Sequence, residues 1–145
     1  MNESNIKFLE AVKLFNENFF WDAIELFQDA LSDGLEDKFV DDCFLNIAIC
    51  YMQLNLFNEA QEFFLKAIDS SKIYGDKIDS EGAVYGKTSD RAKLGLIRIL
   101  LAKNDVESAK EILDELKDSE TYIEIDNKKE SLHSIAFAEI NLAKK

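Results

Sequence analysis

The 145-residue chain contains no proline and only five glycines. A sheet-rich fold needs many tight turns, and these two residues supply the backbone geometry for most of them, so their scarcity points to helices. No run of about 18 uninterrupted apolar residues occurs. The richest stretches, Phe44 to Met52 and Leu94 to Ala102, are broken by polar residues, which excludes a membrane-spanning helix. The N-terminus, Met1-Asn2-Glu3-Ser4, lacks the basic region and apolar core of a signal peptide, and a cytoplasmic location is expected. Histidine occurs once, at His133, so there is no second imidazole to share a metal or a proton relay. Cys43 and Cys50 stand seven apart in one expected helix. That is about 10 Å by helical rise, too far for a disulfide, and they read as buried thiols in a reducing compartment.

Basic residues are also scarce. Seventeen Lys and Arg face 29 Asp and Glu, a net charge of −12. Such a surface repels phosphate backbones and anionic headgroups, so neither nucleic acid nor a membrane is expected as a partner. The imbalance is uneven: residues 1–72 carry 5 basic and 14 acidic side chains, residues 73–145 carry 12 and 15. The most basic short stretch holds Lys87, Arg91, Lys93, Arg98 and Lys103 against a single Asp90.

Apolar residues make up 47% of the chain, which excludes disorder and suffices for the core of one compact helical domain. Self-comparison shows how that core is organised. Ala23-x-x-x-Phe27-x-x-Ala30-Leu31 recurs as Ala60-x-x-x-Phe64-x-x-Ala67-Ile68, with Phe20 and Phe57 each three residues before the first alanine. Upstream of each copy lies another stretch of helical period, in which Ala11 aligns with Ala48 and Leu14 with Tyr51. Each unit is therefore expected to be a helical hairpin. Alanine lets two helix backbones approach, and aromatics fill the wedge between successive hairpins.

A third, weaker copy, Ala109-x-x-x-Leu113-x-x-Leu116, has Val106 in the aromatic slot and Leu96 and Leu100 in the preceding helix. The residues separating it from the second copy, about 73–88, contain Gly75, Gly82 and Gly86 and read as an inserted loop or a broken helix extension. Thr121 to Asp126 reads as an extended connector. A last helix over about 128–145, with Leu132, Ile135, Ala136, Ile140 and Ala143 on one face, reads as a cap.

These residues resemble the tetratricopeptide repeat family. Repeat one covers about 5–35, repeat two about 39–72 and repeat three about 89–118, so the resemblance takes in about four fifths of the chain. The departures are the missing proline after each second helix, Asn18, Asn55 and Asn104 where the family often has glycine, and Ile97 in a small-residue slot. The resemblance implies an all-α, right-handed superhelix of about three hairpins plus the cap, in one domain over 1–145. It implies a concave groove lined by each unit's first helix. Carried over position by position, that groove is formed by Asn5, Phe8, Leu9, Val12 and Phe15; by Asp42, Leu45, Asn46, Ile49, Met52 and Gln53; and by Arg91, Leu94, Gly95, Arg98 and Leu101.

Members of the family that clamp the acidic tails of heat-shock chaperones use a lysine and an asparagine of the first repeat, where this chain has Phe8 and Val12. Asn46 and Arg91 match two other clamp positions, and Gly95 replaces a basic one. The expected ligand is instead an extended or helical protein segment with apolar anchors at Phe8, Val12, Ile49 and Met52 and an acidic group near Arg91 and Arg98. Gly95 costs about 1 kcal/mol of helix stability against alanine and leaves room for a ligand backbone. The alternative is a self-associating scaffold, in which the groove is filled by the chain's own last helix or by a second subunit of a homodimer.

No residues point to catalysis, a metal or a cofactor. Gly82-Ala83-Val84-Tyr85-Gly86-Lys87-Thr88 is one residue short of a phosphate-binding loop, and the polar stretch before it is not expected to form the strand such a loop needs. His133, beside Ser131 and Ser134, has a structural or solvent-facing reading, and both cysteines lie in the apolar second repeat, where a neutral thiol is favoured. The acidic runs at Asp41-Asp42 and Glu107 to Glu115 lack the glycine-turned oxygen spacing that calcium requires.

Overall fold

A computed structural model describes residues 2–74, 78–81 and 84–144, with 78–81 described by backbone alone. The order of elements is α1 (Glu3–Asn16), α2 (Phe20–Ser32), α3 (Asp37–Gln53), α4 (Phe57–Tyr74), β1 (Ile78–Glu81), β2 (Val84–Lys87), α5 (Thr88–Ala102), α6 (Val106–Glu115), β3 (Tyr122–Ile125), β4 (Lys128–Ser131) and α7 (Leu132–Ala143). The chain groups into two compact units, residues 1–75 and 76–145.

The three hairpins end their first helices by one device. Asn18, Asn55 and Asn104 take left-handed φ values of 67°, 60° and 63°. Asparagine adopts this conformation at modest cost because its side chain bonds locally, so it serves where glycine otherwise would. In each turn the Asn N–H donates three residues back, to Phe15, Met52 or Leu101, and the next N–H donates five back, to Leu14, Tyr51 or Leu100. The helix's orphan carbonyls are thereby satisfied. The second helix then starts identically, with Ala23, Ala60 and Ala109 N–H bonded to the carbonyls of Phe19, Leu56 and Asp105.

In the first unit α1 packs on α2, α2 on α3 and α3 on α4. The repeat alanines Ala11, Ala23, Ala30, Ala48, Ala60 and Ala67 have no exposed surface. Phe8, Phe27, Ile24, Leu35, Cys43, Ile47 and Cys50 form one core with Ala11, Ala23 and Ala30. Within it the Phe8 ring lies 5.7 Å from Phe27 and stacks at 5.1 Å on Phe39.

In the second unit α5 and α6 form the third hairpin, α7 packs on both, and the strands form an antiparallel sheet in the order β1-β2-β3-β4. This sheet corrects two sequence expectations. The stretch read as an inserted loop or broken helix contains the β1–β2 hairpin, paired from Ile78↔Lys87 to Glu81↔Val84. The connector is β3, paired with β4 from Tyr122↔Ser131 to Ile125↔Lys128, so the last helix begins at Leu132 and not near 128. Asp126 and Asn127 both have positive φ, 51° and 65°, the requirement of a tight two-residue hairpin turn. Ser131 caps α7, its hydroxyl accepting the Ser134 N–H at 3.0 Å. Gly75 and Gly82, read from the sequence as part of the insertion, lie outside the described residues.

Candidate interaction surface

The expected groove residues separate by depth. On α1, Asn5 is buried; its amide donates to Glu36 Oε1 at 2.7 Å and its Oδ1 accepts the Glu36 N–H at 3.4 Å, tying α1 to the residue before α3. Phe8 is buried in the core described above. Leu9 remains 49% exposed, and Val12 and Phe15 are half-buried. On α3, Leu45 and Asn46 are buried, Asp42, Ile49 and Met52 are half-buried and Gln53 is exposed. The first unit thus leaves Leu9, Val12, Phe15, Ile49, Met52 and Gln53 reachable on its first helices. Asn5, Phe8, Leu45 and Asn46 face protein.

In the second unit Leu94 and Gly95 are buried, Arg91 and Leu101 are half-buried, and Arg98 is exposed. Leu94 and Leu101 belong to a cluster that includes Leu132, Ala136 and Ile140 of α7. Arg98 Nε donates to Glu139 of the same helix at 2.9 Å and 3.3 Å. The arginine expected to receive a partner's acidic group therefore already holds a carboxylate of its own chain.

A cleft of about 570 Å³ in the second unit is lined by Tyr85, Gly86, Lys87, Ser89, Asp90, Lys93, Glu115, Asp118, Ser119, Glu120 and Thr121. Gly86 and Lys87 of the glycine-lysine string line it, and a strand does form in the polar stretch before the string, β1, contrary to the sequence expectation, while Val84–Lys87 of the string are themselves β2. The string is nonetheless committed to the fold. The Lys87 N–H, which a phosphate loop would aim at its ligand, donates to Thr121 Oγ1 at 2.9 Å. Thr121 Oγ1 and Ser119 Oγ both donate to Asp90 Oδ2, at 2.8 Å and 2.6 Å. Gly86 sits at φ +143°, and a Cβ there would stand 2.2 Å from Thr121 Oγ1. This latch joins β2, the start of α5 and the approach to β3.

Burial pushes the Cys50 thiol up to about 12. The Cys43 thiol is also raised, by burial first and then by the Asp42 carboxylate. Neutral thiols are poor nucleophiles and poor metal ligands. His133 lies with its ring 6.4 Å from Phe137, stacked on it. Among the described residues no group of three or more His, Cys, Asp or Glu is placed to hold a metal ion, and no helix is long and apolar enough to cross a membrane.

Sequence reasoning missed the latch. Gly86, Asp90 and Thr121 fall in segments assigned to a loop, a helix start and a connector, Ser119 falls between the last two, and only the folded chain brings them together.

No protein-family pattern matches the chain, and no curated protein matches it in sequence. The fold is similar to that of the Hsp90 co-chaperone Cns1 from Saccharomyces cerevisiae (delta69), with a TM-score of 0.68 and 16% identity over 99% of this chain. The match takes in 41% of that chain, so the protein spans less than half its length. At this identity the likeness is one of fold, and it agrees with the three hairpins. The chain has a tetratricopeptide-like, all-α helical repeat fold.

Proposed function

We propose that the chain, 1–145, is a non-enzymatic protein-interaction module whose first unit takes an extended or helical partner segment along α1 and α3. One observation carries this reading: Leu9, Val12, Phe15, Ile49 and Met52 lie on the first helices of two successive hairpins and keep accessible apolar surface, while their neighbours Phe8 and Leu45 are buried. Apolar side chains left accessible along one face are what a partner's anchors bury. The fold shared with a protein named a co-chaperone supports the same class of role. A clamp for an acidic tail is not part of the proposal, because Phe8 occupies a clamp position and is core.

The second reading, a groove filled by the chain itself, is favoured in the third repeat. There Leu94 and Leu101 pack with α7, and Arg98 is bonded to Glu139. We therefore assign partner capture to the first unit and give the third hairpin's first helix an internal partner.

Two measurements test this. Light scattering over a low- to high-micromolar series is expected to give a constant mass near 16.6 kDa. Ile49→Asp is expected to keep the helical circular dichroism and melting transition while abolishing capture of the partner bound by the wild type. A mass that doubles with concentration, or an Ile49→Asp chain that unfolds, would make these residues an internal or subunit interface and sink the proposal.

A further inference from the structure

A row of aromatic rings crosses the first unit. Phe44 lies 6.1 Å from Phe63, Phe63 lies 5.6 Å from Tyr51, and Tyr51 meets Trp21 edge-on at 6.3 Å. The two ends of the row differ. At one end the Lys66 ammonium sits 4.6 Å from the Phe63 centroid and 6.0 Å from that of Phe44, held also by Glu62 at 3.5 Å. At the other end Trp21, the chain's only tryptophan, is 59% exposed, and among the described residues no cation stands over it.

The repeat does not require this exposed tryptophan. The same position of the second and third copies holds Asn58 and Glu107. Two residues earlier, Phe19 is 53% exposed; the second and third copies have Leu56 and Asp105 there. A large indole in water where the sister positions are polar is a preferred binding anchor, because its burial releases much apolar surface at small entropic cost.

The charges beside it favour one kind of occupant. Glu17 is the C-cap residue of α1, in the turn before α2, and Asp22 and Glu25 follow Trp21 along α2 by one and four residues. All three are exposed, and none forms an ion pair among the described residues. The first unit has 5 basic against 14 acidic residues; of its five lysines, Lys7, Lys38 and Lys66 are each bonded to a carboxylate, and Lys13 and Lys72 form no ion pair among the described residues.

We propose that Trp21, with Phe19 and the carboxylates of Glu17, Asp22 and Glu25, is a docking site for an arginine-bearing segment of a partner protein. The guanidinium lies on the indole face as Lys66 lies on Phe63, and its N–H groups bond the carboxylates. Arginine fits better than lysine because its plane stacks on the ring while its edge still donates. This site is on α2 and the turn before it, and it does not rest on the groove assigned to α1 and α3.

Because Trp21 is unique, its emission reports the site directly. The probe is a blocked arginine-leucine-arginine tripeptide titrated into the intact chain, with its citrulline counterpart, of equal shape and no charge, as control. The expected result is a saturable change in emission, about tenfold weaker for the citrulline peptide. It should weaken several-fold as salt rises from about 50 to about 300 mM. Trp21→Ala, which removes the edge contact with Tyr51 and should therefore melt slightly below wild type while remaining folded, must lose binding of the dye-labelled peptide by anisotropy. No saturable change, equal response to citrulline, or undiminished anisotropy in Trp21→Ala overturns the proposal. So does an emission change produced by raising the protein concentration alone, which would make a second copy the occupant.

Discussion

Replacing Thr121 by valine preserves the side chain's shape and removes one oxygen that serves two bonds. Oγ1 accepts the Lys87 N–H at 2.9 Å and donates to the Asp90 carboxylate at 2.8 Å, and the residue is 1% exposed. A neutral backbone bond contributes about 1 kcal/mol, and one to a charged partner about 1.5–3 kcal/mol. The valine methyl returns about 0.8 kcal/mol of apolar burial. Asp90 keeps its 2.6 Å bond from Ser119, so its charge is not orphaned. The net expectation is a loss of about 2–3 kcal/mol. Urea unfolding followed by far-ultraviolet circular dichroism should show this as a midpoint lowered by about 1 M with an unchanged slope. Hydrogen exchange at the Lys87 amide should accelerate, since its acceptor is gone. Thr121→Ser, which retains the oxygen, should cost about 1 kcal/mol through the lost methyl and leave that amide protected. A Thr121→Val loss under about 0.5 kcal/mol, or an unchanged Lys87 exchange rate, would refute the latch as a source of stability.

Gly86→Ala places a Cβ 2.2 Å from Thr121 Oγ1 and 2.6 Å from its Cα at φ +143°, whereas Gly34→Ala at φ +91° meets nothing within 4 Å. Thermal melts should show a loss of about 3 kcal/mol or more for the first and only the strain of about 1–2 kcal/mol for the second. Asn55→Gly should be neutral or stabilising by up to about 1 kcal/mol, and Asn55→Val destabilising by about 1–2 kcal/mol, in the same assay, because φ is 60° there. The Cys50 thiol ionises near 9.0 in the unfolded chain and near 12 in the folded one. The unfolded state therefore loses protons first, and stability should fall as pH rises above 9. The fall should be shallower in a Cys43→Ala/Cys50→Ala variant. Reaction of either thiol with a disulfide reagent at pH 8 should require unfolding.

The hairpins were legible because their information is local and repeated. The alanines and phenylalanines recur at helical spacing, and the asparagines mark each turn where a left-handed residue is needed. The sheet was less legible. Its strands are four residues each, too short for period-two alternation to stand out, and they come as two hairpins inserted into what is otherwise a run of helices. One signal was present: Asp126-Asn127 between Tyr122-Ile123-Glu124-Ile125 and Lys128 has the composition of a two-residue hairpin turn. The resemblance placed sixteen residues along the groove. It could not say which of them pack inward, since a helix position fixes direction but not what lies opposite.

The sequence by itself determined the helical class, the repeat unit and the turn positions, because each follows from residue type and spacing along one chain. Tertiary structure alone decided that Phe8 is core while Leu9 is reachable, that Arg98 is held by Glu139 across 41 residues, and that Gly86, Asp90 and Thr121 close one latch. Those outcomes depend on which side chains from distant segments meet, and pairwise packing and hydrogen bonding are settled only when the chain has folded.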